Sequence, residues 1–299
     1  MRYPLAFITI AILCHSAYGG DTLRIQNTGS TDQKKLAIAL ASIGTAYSVA
    51  LIGLNEAWYK ENGKAPFHFF DDSQQWNQVD KLGHAYSAYQ ISRIGKEIFL
   101  WTGMPPKRSA LWGAVLSQAL MVPIEVLDGY SHEYGFSWSD VGANLAGASM
   151  FLVQEMLWEK QKFKLKFSFS PSPYAEMRPE VLGKSFGEQV LKDYNGQTYW
   201  LSCDLHAILG ANSFWPKWIN PVFGYGADGM VYAREAQNNQ YGYRSYRQFY
   251  LGIDPDLSYI KSGKRGIRIL LFVADMIKLP APALEYNSMG NWVFHWLYF

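Results

Sequence analysis

The sequence predicts an α+β protein, with an N-terminal antiparallel four-helix bundle followed by an antiparallel β-rich module. Two observations carry this. Up to about Lys160 apolar residues recur at helical spacing in long stretches with few charges, and after Gln161 the period drops to two. Short connections between the helical stretches favour antiparallel neighbours. The expected organisation is a signal peptide over residues 1–19, a linker over 20–34, a helical domain over 35–160 and the β-rich module over 161–299.

The N-terminus reads as a secretion signal. Arg2 supplies the positive charge, Leu5 to Leu13 the apolar core, and Ala17-Tyr18-Gly19 the small-x-small cleavage site. Cys14 invites a lipoprotein reading, but Leu13 stands where a lipobox needs a small residue. Cleavage after Gly19 leaves Cys203 as the sole thiol, so no internal disulfide is expected in the exported chain.

Residues 20–34 are polar and turn-forming. Leu36 to Leu54 then runs nineteen residues without a charge, close to the roughly 20 that cross a bilayer as a helix. Small residues fill about half of it, which also suits a closely packed buried helix. A second helix is expected over Ser73–Trp101, capped by Asp72 or Ser73 and ended by Gly103 and Pro105-Pro106. A third covers about Arg108 to Leu127, with a bend expected at Pro123 and a stop at Asp128-Gly129. The fourth starts near Ser137, where Ser137-x-x-Asp140 resembles a capping box, and continues to about Lys160.

From Lys162 to Phe169 phenylalanine and leucine alternate with lysine and serine, the pattern of a two-faced strand. Lys162, Lys164 and Lys166 form one basic face, for which solvation is the default. Further strands are expected at Thr198–Ala207, Pro221–Tyr232, Tyr243–Ile253, Arg265–Phe272 and Asn291–Phe299. Asn195-Gly196 reads as a turn rather than a carbohydrate-facing loop. The aromatic run that ends at Phe299 is reminiscent of outer-membrane barrels, but six strands fall short of the eight of the smallest, so a sheet packed on the bundle or lying on a membrane is expected.

A net charge of +2, from 27 basic and 25 acidic residues, gives no overall field for nucleic acid, and none is expected as a partner. The mean hydropathy of −0.12 is too polar for a chain that spans membranes throughout.

Three polar clusters interrupt the apolar helices: Asp80-Lys81-Leu82-Gly83-His84, then Glu125 to Gly129, then Ser137 to Asp140 with Asn144 and Gly147. Such groups are costly in hydrocarbon unless each finds a partner, so one shared interior site is expected. Asp80 and His84, four apart, share a helix face with Lys81 beside them. His84, Glu125, Asp128, His132 and Asp140 are all competent metal ligands, yet no metal-binding motif is present; no metal and no cofactor are expected. For proton transfer the candidates are His84, Glu125 and Asp140, with Lys81 as an anion holder. The alternative is a structural network that fixes register and topology and needs no substrate.

These residues resemble the VanZ-like superfamily, and more closely the YfiM-like family of predicted periplasmic lipoproteins, in its extended Bacteroidetes-type form. The pattern is Asp-Lys-x-x-His at Asp80, Lys81 and His84, a later glutamate at Glu125, and Asp-x-x-x-Asn-x-x-Gly at Asp140, Asn144 and Gly147. Ser137-Trp138-Ser139 stands where such proteins usually carry an arginine. The resemblance implies a helical membrane or membrane-apposed domain in the bacterial envelope, periplasm-facing, with no established reaction. The expectation is therefore an exported, membrane-associated protein whose cluster of Asp80, Lys81, His84, Glu125, Asp128, Asp140 and Asn144 either organises the bundle or binds a polar lipid or envelope-glycan headgroup. The competing expectation is a hydrolase or transferase acting on a lipid or lipid-linked glycan.

Overall fold

The computed structural model describes residues 30–54, 63, 65–210 and 212–299. The predicted signal peptide, Cys14 included, lies outside the described residues. The chain divides into two compact units. The helical unit holds the described residues of Met1–Asp72 with Ser87–Lys160 and Gly263–Ile269; the β unit holds Ser73–Tyr86, Gln161–Ser262 and Leu270–Phe299.

Four long helices are α1 (Gln33–Leu54), α2 (Val79–Trp101), α3 (Pro106–Asp128) and α4 (Trp138–Trp158). The start of α2 is counted with the β unit and the rest with the helical unit. Asp32 caps α1, its Oδ1 accepting from the backbone of Lys34 at 2.9 Å and Lys35 at 3.1 Å. Ala39 of α1 packs on Ile98 of α2, with Ile43, Ile94 and Trp101 around them. Helices α2 and α3 meet at two glycines: a Cβ on Gly113 would sit 2.5 Å from the Ser92 carbonyl oxygen and 2.7 Å from the Lys96 nitrogen. Only a residue without a side chain permits that approach. Helix α3 continues through Pro123, whose missing N–H interrupts the hydrogen-bond ladder. Nearby, Tyr47 Oη donates to the Leu120 carbonyl at 2.7 Å. Ser137 caps α4 as its spacing predicts, accepting from the Asp140 N–H at 3.1 Å.

In the β unit, six strands form one antiparallel meander: β1 (Phe163–Phe169), β2 (Gln197–Cys203), β3 (Ile219–Asp228), β4 (Tyr246–Pro255), β5 (Ala281–Asn287) and β6 (Trp292–Tyr298). Short helices fill the connections: α5 (Pro179–Leu182), α6 (Phe186–Lys192), α7 (Leu205–Leu209), α8 (Glu235–Gln240) and α9 (Arg265–Ala274). The sheet curls strongly. Flat, β2 and β6 would be about 19 Å apart across four strand spacings. Instead the Tyr298 ring of β6 lies 5.8 Å from Trp200 of β2 and 4.5 Å from Tyr250 of β4, and its hydroxyl is 3.1 Å from Thr198 Oγ1. Met276 and Lys278 cover the free edge of β1 through backbone bonds to Phe167.

Two of the sequence expectations fail here. Arg265–Phe272 is not a strand but most of α9; Ile267, Leu270, Leu271 and Ala274 fall at helical spacing, which outweighs the strand preference of Ile267, Ile269 and Phe272. The lysine face of β1 is not solvated: Lys164 and Lys166 are buried within the curl, and the Phe163 to Phe169 side faces outward. Strand β5 was hidden by Pro280 and Pro282, the latter lying at the irregularity in the pairing of β5 with β6.

Candidate functional site

In the β unit the lysines of β1 are answered by three aspartates. Lys164 Nζ lies 2.7 Å from Asp256 and 3.1 Å from Asp275; Lys166 pairs with Asp254 and, at 3.3 Å, with Asp275. Asn220 Nδ2 donates to Asp256 at 3.0 Å and to Ser202 at 3.1 Å. Burial alone would raise the Asp256 carboxyl, but Lys164 and the hydrogen bonds from Ser258 and Asn220 outweigh it and bring it to about 2. Lys278 lies 4.8 Å from the centre of the Trp200 ring, and burial lowers its ammonium to about 8. Sequence reasoning missed these residues as a site, because alternation of lysine with phenylalanine says nothing about which side is interior.

Asp80, Lys81 and His84 belong to the β unit. Asp80 Oδ2 accepts from Lys81 Nζ at 2.9 Å, Oδ1 accepts from Tyr194 Oη at 2.7 Å, and His84 Nε2 is 3.9 Å away. Burial pushes the Asp80 carboxyl up, yet His84, Lys81 and Tyr194 together hold it below the usual carboxylate range. Gly83 faces Tyr199, whose hydroxyl would lie 2.9 Å from an added Cβ. The segment leading in is strained: Trp76, Asn77 and Gln78 have φ of 50°, 48° and 64°, the left-handed region that non-glycine residues avoid. It is gripped by the sheet, with Tyr225 Oη donating to the Asn77 carbonyl and Arg247 Nη2 to Gln78 Oε1 at 2.7 Å. Tyr194 escapes sequence reasoning as a partner because Asp193-Tyr194-Asn195-Gly196 reads as a turn. It is one, closed by the Gly196 N–H to the Asp193 carbonyl at 3.0 Å and tied to Met230 by Asn195, whose Nδ2 donates to the Met230 carbonyl at 3.0 Å and whose Oδ1 accepts from the Met230 N–H at 2.7 Å.

Glu125, Asp128, Asp140 and Asn144 belong to the helical unit. Glu125 is fully buried, and its Oε1 accepts from Asn144 Nδ2 at 3.1 Å, joining α3 to α4. Gln118 Nε2 donates to the Asn144 carbonyl at 3.1 Å, and Ser117 Oγ to the Ala88 carbonyl at 2.9 Å, joining α3 to α2. Asp140 is buried at the first turn of α4, Asp128 is half-buried at the end of α3, and His132 is exposed. Two further groups escape the sequence reading. Asp72 Oδ1 receives the hydroxyls of Ser137 at 2.6 Å and Ser139 at 2.7 Å, and Lys96 pairs with Glu155 at 2.6 Å. The signal for the second was available: isolated opposite charges within otherwise apolar helices.

Residues 68–155 match the family described as predicted periplasmic lipoprotein (DUF2279). The match spans the three polar clusters that carry the sequence resemblance. No curated protein and no solved structure matches the chain. The protein is an exported component of the bacterial cell envelope, facing the periplasm.

Proposed function

We propose that this is a membrane-embedded envelope protein whose buried polar residues hold its helices together rather than turn over a substrate. One observation carries the reading: the helical unit takes many polar side chains into its interior while large apolar ones stay outside. Buried positions of α2 to α4 include Gln90, Arg93, Ser117, Glu125, Asn144 and Glu155, whereas exposed positions of α1, α3 and α4 include Ile52, Leu111, Val115, Leu145, Val153 and Leu157. In water the arrangement would be the opposite; in a bilayer polar side chains turn inward and pair with one another. Of the Gln33–Gly53 span only 6% is buried, so beyond its contacts with Ile94, Ile98 and Trp101 much of the apolar surface of α1 is left uncovered by the described residues. Helices α1 and α3 are long and apolar enough to cross a membrane. At the end of α3, Phe67, Phe69, Tyr130, Phe136 and Trp138 form an aromatic cluster, largely exposed, of the kind found at headgroup depth.

The order Asp80, Lys81, His84, Glu125, Asp140, Asn144, Gly147 supports the finer reading of a VanZ-like four-helix domain. The architectural role rests on Glu125, which joins α3 to α4 through Asn144. Membrane fractionation tests the proposal. The protein is expected to stay in the membrane after carbonate washing, and release into the soluble fraction overturns the reading. For the cluster, Glu125→Ala is expected to lower thermal stability and abundance; a protein of normal abundance that has lost its cellular function would instead mark a catalytic or ligand site.

A further inference from the structure

The sheet of the β unit carries its charges on the inside as well. Within the curl lie the Lys164, Lys166, Asp254, Asp256 and Asp275 network, Glu285 with His295 at 2.8 Å, and the Trp200, Tyr250 and Tyr298 rings. Outside, the pairing register sets Leu165, Leu201, Phe223, Leu251, Leu284 and Phe294 in one row across all six strands. The neighbouring row is aromatic: Phe167, Tyr199, Tyr225, Phe249, Tyr286 and Trp292. The β1 to β3 end of that aromatic row is covered by Asn77, Gly83 and Tyr86. Towards β6 the face is bare, with Phe223 53%, Leu251 51% and Phe294 53% exposed.

We propose that this outward face lies against the hydrocarbon of a phospholipid bilayer, as the outer wall of a membrane barrel does. The inference rests on the membrane reading above and assigns a second contact to it. Three features select lipid over a protein partner. The inside holds the ions and the outside the hydrocarbon, the polarity of membrane strands and the reverse of a soluble sheet. Among the outward strand positions the one charge is Arg247, at the end of β4 and bound to Tyr225 and Gln78, so the face offers no charge for a partner to match. A row of Leu and Phe beside an aromatic row with three Tyr and a Trp matches an acyl-chain band next to an interfacial belt.

The test uses the full chain, with Cys14→Ser and Cys203→Ser, in vesicles of phosphatidylethanolamine and phosphatidylglycerol. An environment-sensitive fluorophore is placed at Phe223→Cys, Leu251→Cys or Phe294→Cys, with Lys261→Cys in an exposed loop as control. Brominated acyl chains are expected to quench the three sheet labels and spare Lys261. Protein that floats with vesicles while its sheet labels stay unquenched overturns this inference and leaves the membrane reading standing; protein that does not float overturns both. Labels shielded without lipid, in proportion to protein concentration, mean that a second copy covers the face, and this too overturns the inference. Leu251→Arg keeps the test decisive if labelling perturbs folding: on a lipid-facing wall it lowers the equilibrium constant for folding into vesicles about 30-fold or more. No loss from that variant overturns the proposal.

Discussion

In the helical unit the fully buried Glu125 meets the amide of Asn144, α2 and α3 meet on glycines and a hydroxyl, and an ion pair, Lys96 with Glu155, joins α2 to α4. In the β unit, Lys164 and Lys166 meet three aspartates in a connected ionic network. The difference comes from the backbone. A helix satisfies its own peptide groups, so two helices can approach on small residues with few side-chain bonds. A tightly curled sheet of six strands leaves an interior that side chains must fill, and filling it with ions demands that each be answered.

The comparison can be tested from the strongest contact downward. Lys166→Met strands Asp254 in a dry interior and is expected to cost about 3–5 kcal/mol. Pairing it with Asp254→Leu is expected to restore most of the loss, and unfolding midpoints of single and double variants check both. In the helical unit, Gly113→Ala pushes a methyl into the Ser92 carbonyl and is expected to cost about 1–3 kcal/mol by the same measurement. Acid separates the two mechanisms. The Asp256 carboxyl is held at about 2, below its unfolded value, so its contribution of about 2 kcal/mol is complete above roughly pH 4 and is lost as pH falls towards 2. Stability of the β unit, followed by near-ultraviolet circular dichroism, is expected to decline in that window. The smallest expected effect is Ser137→Ala, which removes the cap of α4 and costs about 1 kcal/mol in a thermal melt.

Much of this was legible in the residues. The fourfold spacing of Asp80 and His84 put them on one face, Ser137-x-x-Asp140 announced the α4 cap, and the alternation from Lys162 announced β1. What the alternation could not convey is direction. Period two gives a strand two faces, and the alternation does not say which of them is buried. Solvation as the default for lysine sent Lys164 and Lys166 to the wrong side. Other misses concern partners distant in sequence. Tyr194 and Asp80 are 114 residues apart, and the bond from Ser137 to Asp72 spans 65, so neither leaves a local pattern. Arg265–Phe272 misled for a different reason: a short apolar stretch with two isoleucines and a phenylalanine was read as a strand although a helical spacing was present.

The backward-wound stretch Trp76–Gln78 sets the rotational phase of the first turns of α2, Val79 to Tyr86. Three residues held against their handedness cost of order 1–2 kcal/mol each, and Tyr225 and Arg247 keep them there. The azimuth at which α2 begins is thereby dictated by strands more than a hundred residues downstream, and with it the direction in which Asp80, Lys81 and His84 point. Asn77→Gly would relieve the torsion and, in the same step, slacken the aim of those three side chains.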